Sequence, residues 1–378
     1  MHRFPFAIDP NDCEEQVGQI LAVLKPKWKR DEVKRKNFSE GFMNVLLCFH
    51  LVSDPKLQDA VILRIACNVD DPKRLLGATK EEIIVASQVA QASGSGAPVL
   101  ALFKNGLVTK CLPGKAATRS HLREERLISQ TARLLARLHY VDLDKLELVN
   151  SEGKTVHIEK KVRLFDDCYY ILEGLPDAGQ ATDLYPKDEY FSKENLRKEI
   201  KFAEDFINGL GFNVIYSHND FHCKNLVYDQ DNDEMMIIDF DISGFNHEGF
   251  DIGALLEDKE YASYLGFCGS DDPPDMTDDE LRLWAKYYLQ EKAKLKGLGE
   301  ESVSEKEIDI FALKCRISTA YFHLMSMMWA LSNHNNPQMK ATDTFSIVEV
   351  AKIDRKLYEE GKTKFAERVE KLNKLQES

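Results

Sequence analysis

One stretch constrains the fold of this chain more than any other. It runs Ser217-His218-Asn219-Asp220-Phe221-His222-Cys223-Lys224-Asn225 and leads on to Met235-Met236-Ile237-Ile238-Asp239. Leu226-Val227-Tyr228 and Met235 to Ile238 read as short strands around the acidic turn Asp229-Gln230-Asp231-Asn232-Asp233. The five-residue step from Asp220 to Asn225 lets a turning loop point both side chains inward. The hairpin then returns Asp239 to the same mouth. Phosphoryl transfer needs these parts: one carboxylate to orient a hydroxyl and accept its proton, and an Asn and a second Asp to hold Mg²⁺ against nucleotide phosphates. Mg²⁺ takes oxygen ligands, and one or two carboxylates with phosphate suffice. The alternative is that Asp220 and Asn225 only form turns and Asp239 only ends a strand. The apolar strand leading into Asp239 weighs against it. Phosphoryl-transfer transition states are loose, so positioning is the larger role of Asp220 and proton transfer comes late. His218 fits a structural hydrogen-bonding role better than that of a general base.

Composition agrees with a small-molecule enzyme. The 378 residues are 43% apolar and 30% charged, which excludes a disordered or collagen-like chain. The length suits two units or one two-lobed domain. Fifty Lys and Arg against 63 Asp and Glu give a net charge of -13. An acidic chain is a poor general polyanion binder, which argues against nucleic acid as a partner. A small cation, or a nucleotide carried with magnesium, fits better. The start, Met1 to Asp9, has no long apolar core and meets an acid early, so no targeting signal is expected. The longest apolar run, Phe322 to Leu331, contains His323 and Ser326 and is about half a membrane span, so no integral membrane segment is expected. Eight cysteines are scattered without a CxxC pair, which reads as reduced thiols in the cytoplasm.

Along the chain, residues 13 to 27 carry Val17, Ile20, Leu21 and Leu24 at helical spacing. Val45 to Leu51 and Ala60 to Ala66 read as strands. Thr79 is placed to cap a helix with Glu81 and Glu82 in its first turn. Val99 to Phe103 and Leu107 to Cys111 read as a hairpin turning at Lys104-Asn105-Gly106, with Asn-Gly at its centre. Residues 120 to 140 and 195 to 210 read as helices. From Thr277 onward the pattern is helical, with a solvated Lys- and Glu-rich tail from Arg355. Met325, Met327 and Met328 read as core packing.

The stretch Tyr216 to Asp258 resembles the choline/ethanolamine kinase family. The family pattern H-N-D-x-x-x-x-N, then I-D-[FY]-E-Y-x-x-x-N-x-x-x-x-D-I-x-N-H-F-x-E, is met by His218, Asn219, Asp220, Asn225, Ile238, Asp239, Asn246, Asp251, Ile252 and Gly253. Weaker similarity in Lys296 to Gly299, Val303 to Glu307 and the Trp329 segment extends the resemblance over about residues 38 to 355. It implies an α+β, two-lobed, protein-kinase-like fold. A small β-rich ATP-binding lobe would span residues 1–112 and a larger, mostly helical catalytic and substrate-binding lobe 113–378. The implied reaction is ATP- and Mg²⁺-dependent phosphorylation of choline and/or ethanolamine, the first step of phosphatidylcholine or phosphatidylethanolamine synthesis. Dimers occur in the family, which leaves a homodimer open.

The resemblance also implies site residues. Ser39, Gly41 and Asn44 fall in the phosphate loop, of whose glycines Gly41 remains. Arg64 falls on the basic residue that reaches the ATP phosphates, and a guanidinium can grip phosphate with two parallel bonds. Glu82, or Glu81 with a slip of one, would pair with Arg64. Residues 109 to 112, with Lys110 and Leu112, would form the adenine hinge. Asp220 takes the catalytic position, and Asn225 and Asp239 the metal. Asp220, His222, Asp241, Asp258 and Trp329 fall at the substrate. Asp241 and Asp258 replace glutamates. Ala254 stands where the family has Asn, and Ser326 where it has the first Trp of a pair, so the pocket loses an amide and an aromatic face. Tyr261 or Tyr264 would restore an aromatic wall, against a plain packing role. Two other readings stay open: a kinase of the same fold acting on another small alcohol, and a catalytically inactive pseudokinase. Intact Asp220, Asn225 and Asp239 argue against the second.

Overall fold

The central strand of the N-terminal sheet shows how the sequence sets the site. Val61, Leu63 and Ile65 are buried against Val17, Ile20 and Leu21 of the first helix, α1 (Glu14–Leu24). Side chains alternate across a strand, so Arg64 lies on the opposite face of the sheet. This computed structural model describes residues 1–38, 44–66, 78–177, 185–256, 262, 264–265, 273, 275–336 and 346–377. The sheet comprises β1 (His2–Phe4), β2 (Val33–Phe38), β3 (Asn44–Leu51), β4 (Val61–Ala66), β5 (Val99–Phe103) and β6 (Gly106–Lys110), in spatial order β1-β5-β6-β4-β3-β2. The β1–β5 pair is parallel and the others are antiparallel.

The expected strands on β3 to β6 are present. β2 is an addition: Lys34, Arg35 and Lys36 stand exposed on the sheet edge, where charge blunts unpaired backbone groups and no apolar alternation is needed. The β5–β6 turn also differs in detail. Its linking residues are Lys104 and Asn105, and Gly106 already pairs with Phe103. The Asn105 side chain accepts from Ile8 N at 2.8 Å and donates to Ile8 O at 2.9 Å, tying the turn to the N-terminal segment. Gly106 is required by proximity: a Cβ there would lie 2.0 Å from Arg64 O. Behind this sheet, α2 (Lys80–Ser93) begins with the expected cap, Thr79, in a capping box with Glu82.

The C-terminal part is mostly helical. A hairpin of β9 (Leu226–Asp229) and β10 (Glu234–Ile237) is flanked by β7 (Lys115–Ala116), and β8 (Val214–Ser217) pairs antiparallel with β11 (Gly244–His247). The helices are α3 (Glu125–His139), α4 (Arg163–Gly174), α5 (Lys193–Gly209), α6 (Phe250–Leu255), α7 (Asp278–Leu295), α8 (Glu305–Ser332), α9 (Ile347–Thr363) and α10 (Phe365–Glu377). One core gathers α3, α7 and the hairpin around Phe221, Trp284 and Tyr288. A second gathers α4, α5, α8, α9 and α10, with Met325, Met327 and Met328 inside it as expected.

The tail corrects an expectation. Tyr358, Phe365 and Leu372 are buried, and the Phe365 ring stacks on Phe206 with centroids 4.4 Å apart. Its charged face is solvated while its apolar face packs on the second core. Among the described residues no helix is long and apolar enough to cross a membrane. The architecture is the expected α+β one, with a β-rich N-terminal lobe and a larger, helical C-terminal lobe.

Candidate active site

The loop after β8 is fixed from beneath before it presents any chemistry. Asp251, fully buried in α6, accepts from His218 N at 2.7 Å, Asn219 N at 2.8 Å and His139 Nε2 at 2.8 Å. Burial opposes its charge, but the His139 and His218 contacts outweigh burial and hold the pKa below the ordinary carboxylate value. The anchored turn takes Asn219 to φ 69°, a left-handed conformation that Asn tolerates. The Asn219 amide donates to Ile242 O at 2.9 Å and accepts from Asn246 Nδ2 at 2.9 Å.

His218 is a brace, as expected. Its Nε2 meets Ile238 O at 2.8 Å, and a carbonyl can only accept, so Nε2 carries the proton. Its Nδ1 then accepts from Asp220 N at 3.2 Å. The same ring therefore fixes the backbone of Asp220 and the end of the strand before Asp239. A second tie, Ile238 N to Asn225 O at 2.9 Å, brings Asp239 beside Asn225.

The polar groups converge from there. Asn225 Nδ2 donates to Asp220 Oδ2 and to Asp220 O, each at 2.8 Å, and its amide oxygen is the atom with which it can meet a cation. His222 Nε2 lies 3.5 Å from Asp220 Oδ1. Burial raises the Asp220 pKa, but His222, His218 and the Asn225 bond outweigh it and bring it down to about 2. Asp239 sits at φ 63° with its carboxylate nearly half exposed. Arg64 reaches across from β4: Nη2 donates to Asp239 Oδ1 at 2.9 Å and also to Asp241. Burial works against the Arg64 charge, but Asp241 and Asp239 raise its pKa above the ordinary arginine value. Asp241 is pushed up to about 7, first by burial and then by the like charges of Asp239 and Asp220, against the pull of Arg64.

This set suits a magnesium nucleotide. Asp239 and the Asn225 oxygen are hard ligands, few enough to leave room for phosphate and water. Among the described residues no group of three or more His, Cys, Asp and Glu forms an all-protein metal cage. Among the described residues Arg64 Nε is a buried donor without a hydrogen-bond partner, an edge that a phosphate oxygen could take.

Other expected site residues make contacts of their own. Glu82 does not pair with Arg64. Its carboxylate closes the capping box on Thr79 and approaches Arg163 at 3.9 Å. Glu81 is taken by Ser151 N at 2.8 Å and Ser151 Oγ at 2.6 Å. Arg64 instead has two carboxylates from the C-terminal lobe. In the hinge, Lys110 N donates to Pro98 O and Cys111 N to Ala60 O, both at 2.9 Å, while Leu112 is half-buried. Ala254 is fully buried in the second core and offers no surface to a ligand. Ser326 is buried as well, near Asp354, which meets His323 Nδ1 at 2.8 Å. Trp329 is half-buried against the same core. Tyr264 bonds Ser346 through its hydroxyl, accepting from N at 2.8 Å. Asn44 opens β3 opposite Ala66, and Ser39, Gly41, Asp258 and Tyr261 lie outside the described residues. The role of Asp251 escaped sequence reasoning although its position fitted the family pattern. A buried acid two residues after Gly249 carries no local signal that it reaches back to residue 218.

Comparison with known proteins adds the lineage. Residues 36–367 match the model of the choline/ethanolamine kinase family. Human ethanolamine kinase 1 is 26% identical over 331 residues, covering 84% of this chain and 66% of its own length. Thus the chain spans about two thirds of that relative. Two solved structures share the fold. A choline kinase from Cryptosporidium parvum superposes with a TM-score of 0.68 at 17% identity, covering 94% of this chain and 96% of the other. An ethanolamine kinase from Plasmodium vivax gives a TM-score of 0.64 at 16% identity, covering 93% and 89%. With a family match over most of its length, on a two-lobed fold that gathers Asp220, Asn225 and Asp239 at one mouth, the chain belongs to the choline/ethanolamine kinase family.

Proposed function

We propose that the protein transfers the γ-phosphate of ATP, with Mg²⁺, to the hydroxyl of choline and/or ethanolamine. The observation that carries this reading is the convergence of Asp220, Asn225, Asp239, Asp241 and Arg64 on one mouth. Asp220 accepts a hydrogen bond from the substrate hydroxyl and aims its oxygen at the phosphorus. A new O–P bond forms as the bond between the γ-phosphorus and the bridging β–γ oxygen breaks, releasing ADP. With a pKa near 2, Asp220 is a weak base toward a free alcohol. The proton reaches it late, once the substrate oxygen has become part of the ester and turned acidic. Asn225 and Asp239 would hold Mg²⁺, which when bound neutralises phosphate charge. Arg64 holds phosphate oxygens through Nε. Asp241 receives the cationic head, with Asp258 and Trp329 completing the pocket by family resemblance. Residues 1–112 serve as the nucleotide lobe and 113–378 as the catalytic lobe. Buried thiols at Cys13, Cys48, Cys111, Cys168 and Cys315 support a reducing, cytoplasmic setting.

A second reading, another small alcohol as acceptor, is favoured by Ser326, a buried serine where the family has an aromatic wall. One experiment separates them: ATP consumption with Mg²⁺ and choline, ethanolamine or no acceptor, for wild type, Asp220→Ala and Asp239→Ala. Amine-dependent turnover lost in both variants is expected. Turnover equal in wild type and variants would sink the mechanism, and turnover with another alcohol alone would select the second reading.

A further inference from the structure

The proposed reaction uses two acids for two ligands, Asp239 for the metal-bound nucleotide and Asp241 for the ammonium group. The structure joins them through one cation. A single nitrogen, Arg64 Nη2, donates to Asp239 Oδ1 at 2.9 Å and to Asp241. The side chains of Arg64 and Asp241 are 19% and 10% exposed, so water screens this contact weakly. The other edge of the guanidinium carries Nε, buried and, among the described residues, without a hydrogen-bond partner. A buried N–H without an acceptor is costly, and a phosphate oxygen relieves it.

The charges fix the sign of the coupling. An ammonium group approaching Asp241 meets a carboxylate already shared with a cation, and the two cations repel. A polyphosphate on the Nε edge brings more negative charge than its Mg²⁺ cancels. It draws the guanidinium toward itself and relieves that repulsion. Mg²⁺ without nucleotide does the opposite: it adds positive charge at Asp239 and leaves the guanidinium to Asp241. Resting on the amino-alcohol reading, we infer that Arg64 couples the two sites, so that Mg²⁺-nucleotide raises the affinity for the amino alcohol and the amino alcohol raises that for the nucleotide by the same factor.

The test is calorimetric titration of ethanolamine and of choline into the full chain. The arms are protein alone, with Mg²⁺, and with Mg²⁺ and a non-hydrolysable ATP analogue. The analogue arm is expected to tighten amine binding by about tenfold, within the usual span of allosteric coupling. Mg²⁺ alone should not tighten it. In Arg64→Gln the gain should fall below about twofold, because no charge is left to move. That variant should also bind amine without nucleotide more tightly than wild type does. Equal amine affinity in every wild-type arm, or undiminished coupling in Arg64→Gln, overturns the inference and leaves the amino-alcohol reading standing. Nucleotide binding with no amine binding in any arm overturns both. If Arg64→Gln loses its melting transition, the wild-type contrast still decides: an equal gain with Mg²⁺ alone and with Mg²⁺-nucleotide overturns the coupling.

Discussion

Asp251→Asn tests whether one buried carboxylate holds the loop that bears Asp220. Oδ2 of Asp251 serves two donors, His218 N and His139 Nε2, and Oδ1 serves Asn219 N. An asparagine keeps the shape but turns one oxygen into a donor. The least damaging orientation keeps the oxygen on the Oδ2 side and sets the new NH₂ against Asn219 N–H. One buried donor then loses its acceptor, at about 1–3 kcal/mol, and two charge-assisted bonds become neutral, at about 1 kcal/mol each. The total is about 3–5 kcal/mol of unfolding free energy, readable as a lowered urea midpoint by circular dichroism. The change also releases the turn at Asn219, next to Asp220. A misplacement of about 1 Å at a reacting group lowers turnover by about 100-fold. A urea midpoint and a kcat both unchanged in the variant would refute the reasoning, because the loop would then be held by other contacts.

Gly106→Ala drives a Cβ to within 2.0 Å of Arg64 O, so β6 must separate from β4; loss of the folded N-terminal sheet is expected, seen as poor solubility or a strongly lowered melting temperature. Phe365→Ala removes the ring stacked on Phe206 and Tyr321 and should cost about 3–5 kcal/mol in denaturant unfolding; a cost near zero would mean that the tail is solvated after all. Amine binding to the nucleotide-free protein should weaken about tenfold per pH unit below about 7, where Asp241 takes up a proton that competes with the ammonium group; calorimetry in buffers of different ionisation enthalpy should show proton release on binding below that pH. Asp220 has its pKa lowered to about 2, so any stability its ionised form contributes is full above the ordinary aspartate range and is lost as the pH falls from there through about 2; below the Asp241 step near 7, turnover should show no second acid limb near pH 4, and one found there would count against the lowered Asp220 pKa.

The sequence was most legible where chemistry and local structure coincide. Asp220, Asn225 and Asp239 stand on a loop and a hairpin whose turn and strand signals are local, and the structure brings them to one mouth. The cap at Thr79 was readable for the same reason, since its box closes within three residues. Long-range pairings were not readable. Glu82 has the residue type and place in the chain to meet Arg64, yet its own helix terminus claims it, while Asp239 and Asp241 approach Arg64 from more than 170 residues away. The burial of Ala254 and Ser326 was unreadable for a related reason. Alignment shows which family position they occupy but not that α6 and α8 bury them in the core. β2 was invisible because its charges suit an exposed edge rather than an apolar face.

The backbone at the site points the same way as its side chains. Asn219 and Asp239 both adopt positive φ, at 69° and 63°, and they lie beside the proposed base and at the proposed metal ligand. Such conformations persist only where surrounding contacts over-determine them. Here those contacts are identifiable: Asp251 on the Asn219 N–H, Ile242 O and Asn246 on its side chain, and the His218 ring on the carbonyl just before Asp239. His218 therefore links both turns. Substituting it by Phe, which keeps the ring and loses both nitrogens, should relax the two together. The expected result is a fall in kcat with little change in nucleotide affinity if Asp220 alone shifts, and a fall in both if Asp239 shifts with it. Both falling is the outcome the His218 bridge requires, and an unchanged nucleotide affinity would show that Asp239 holds its turn without it.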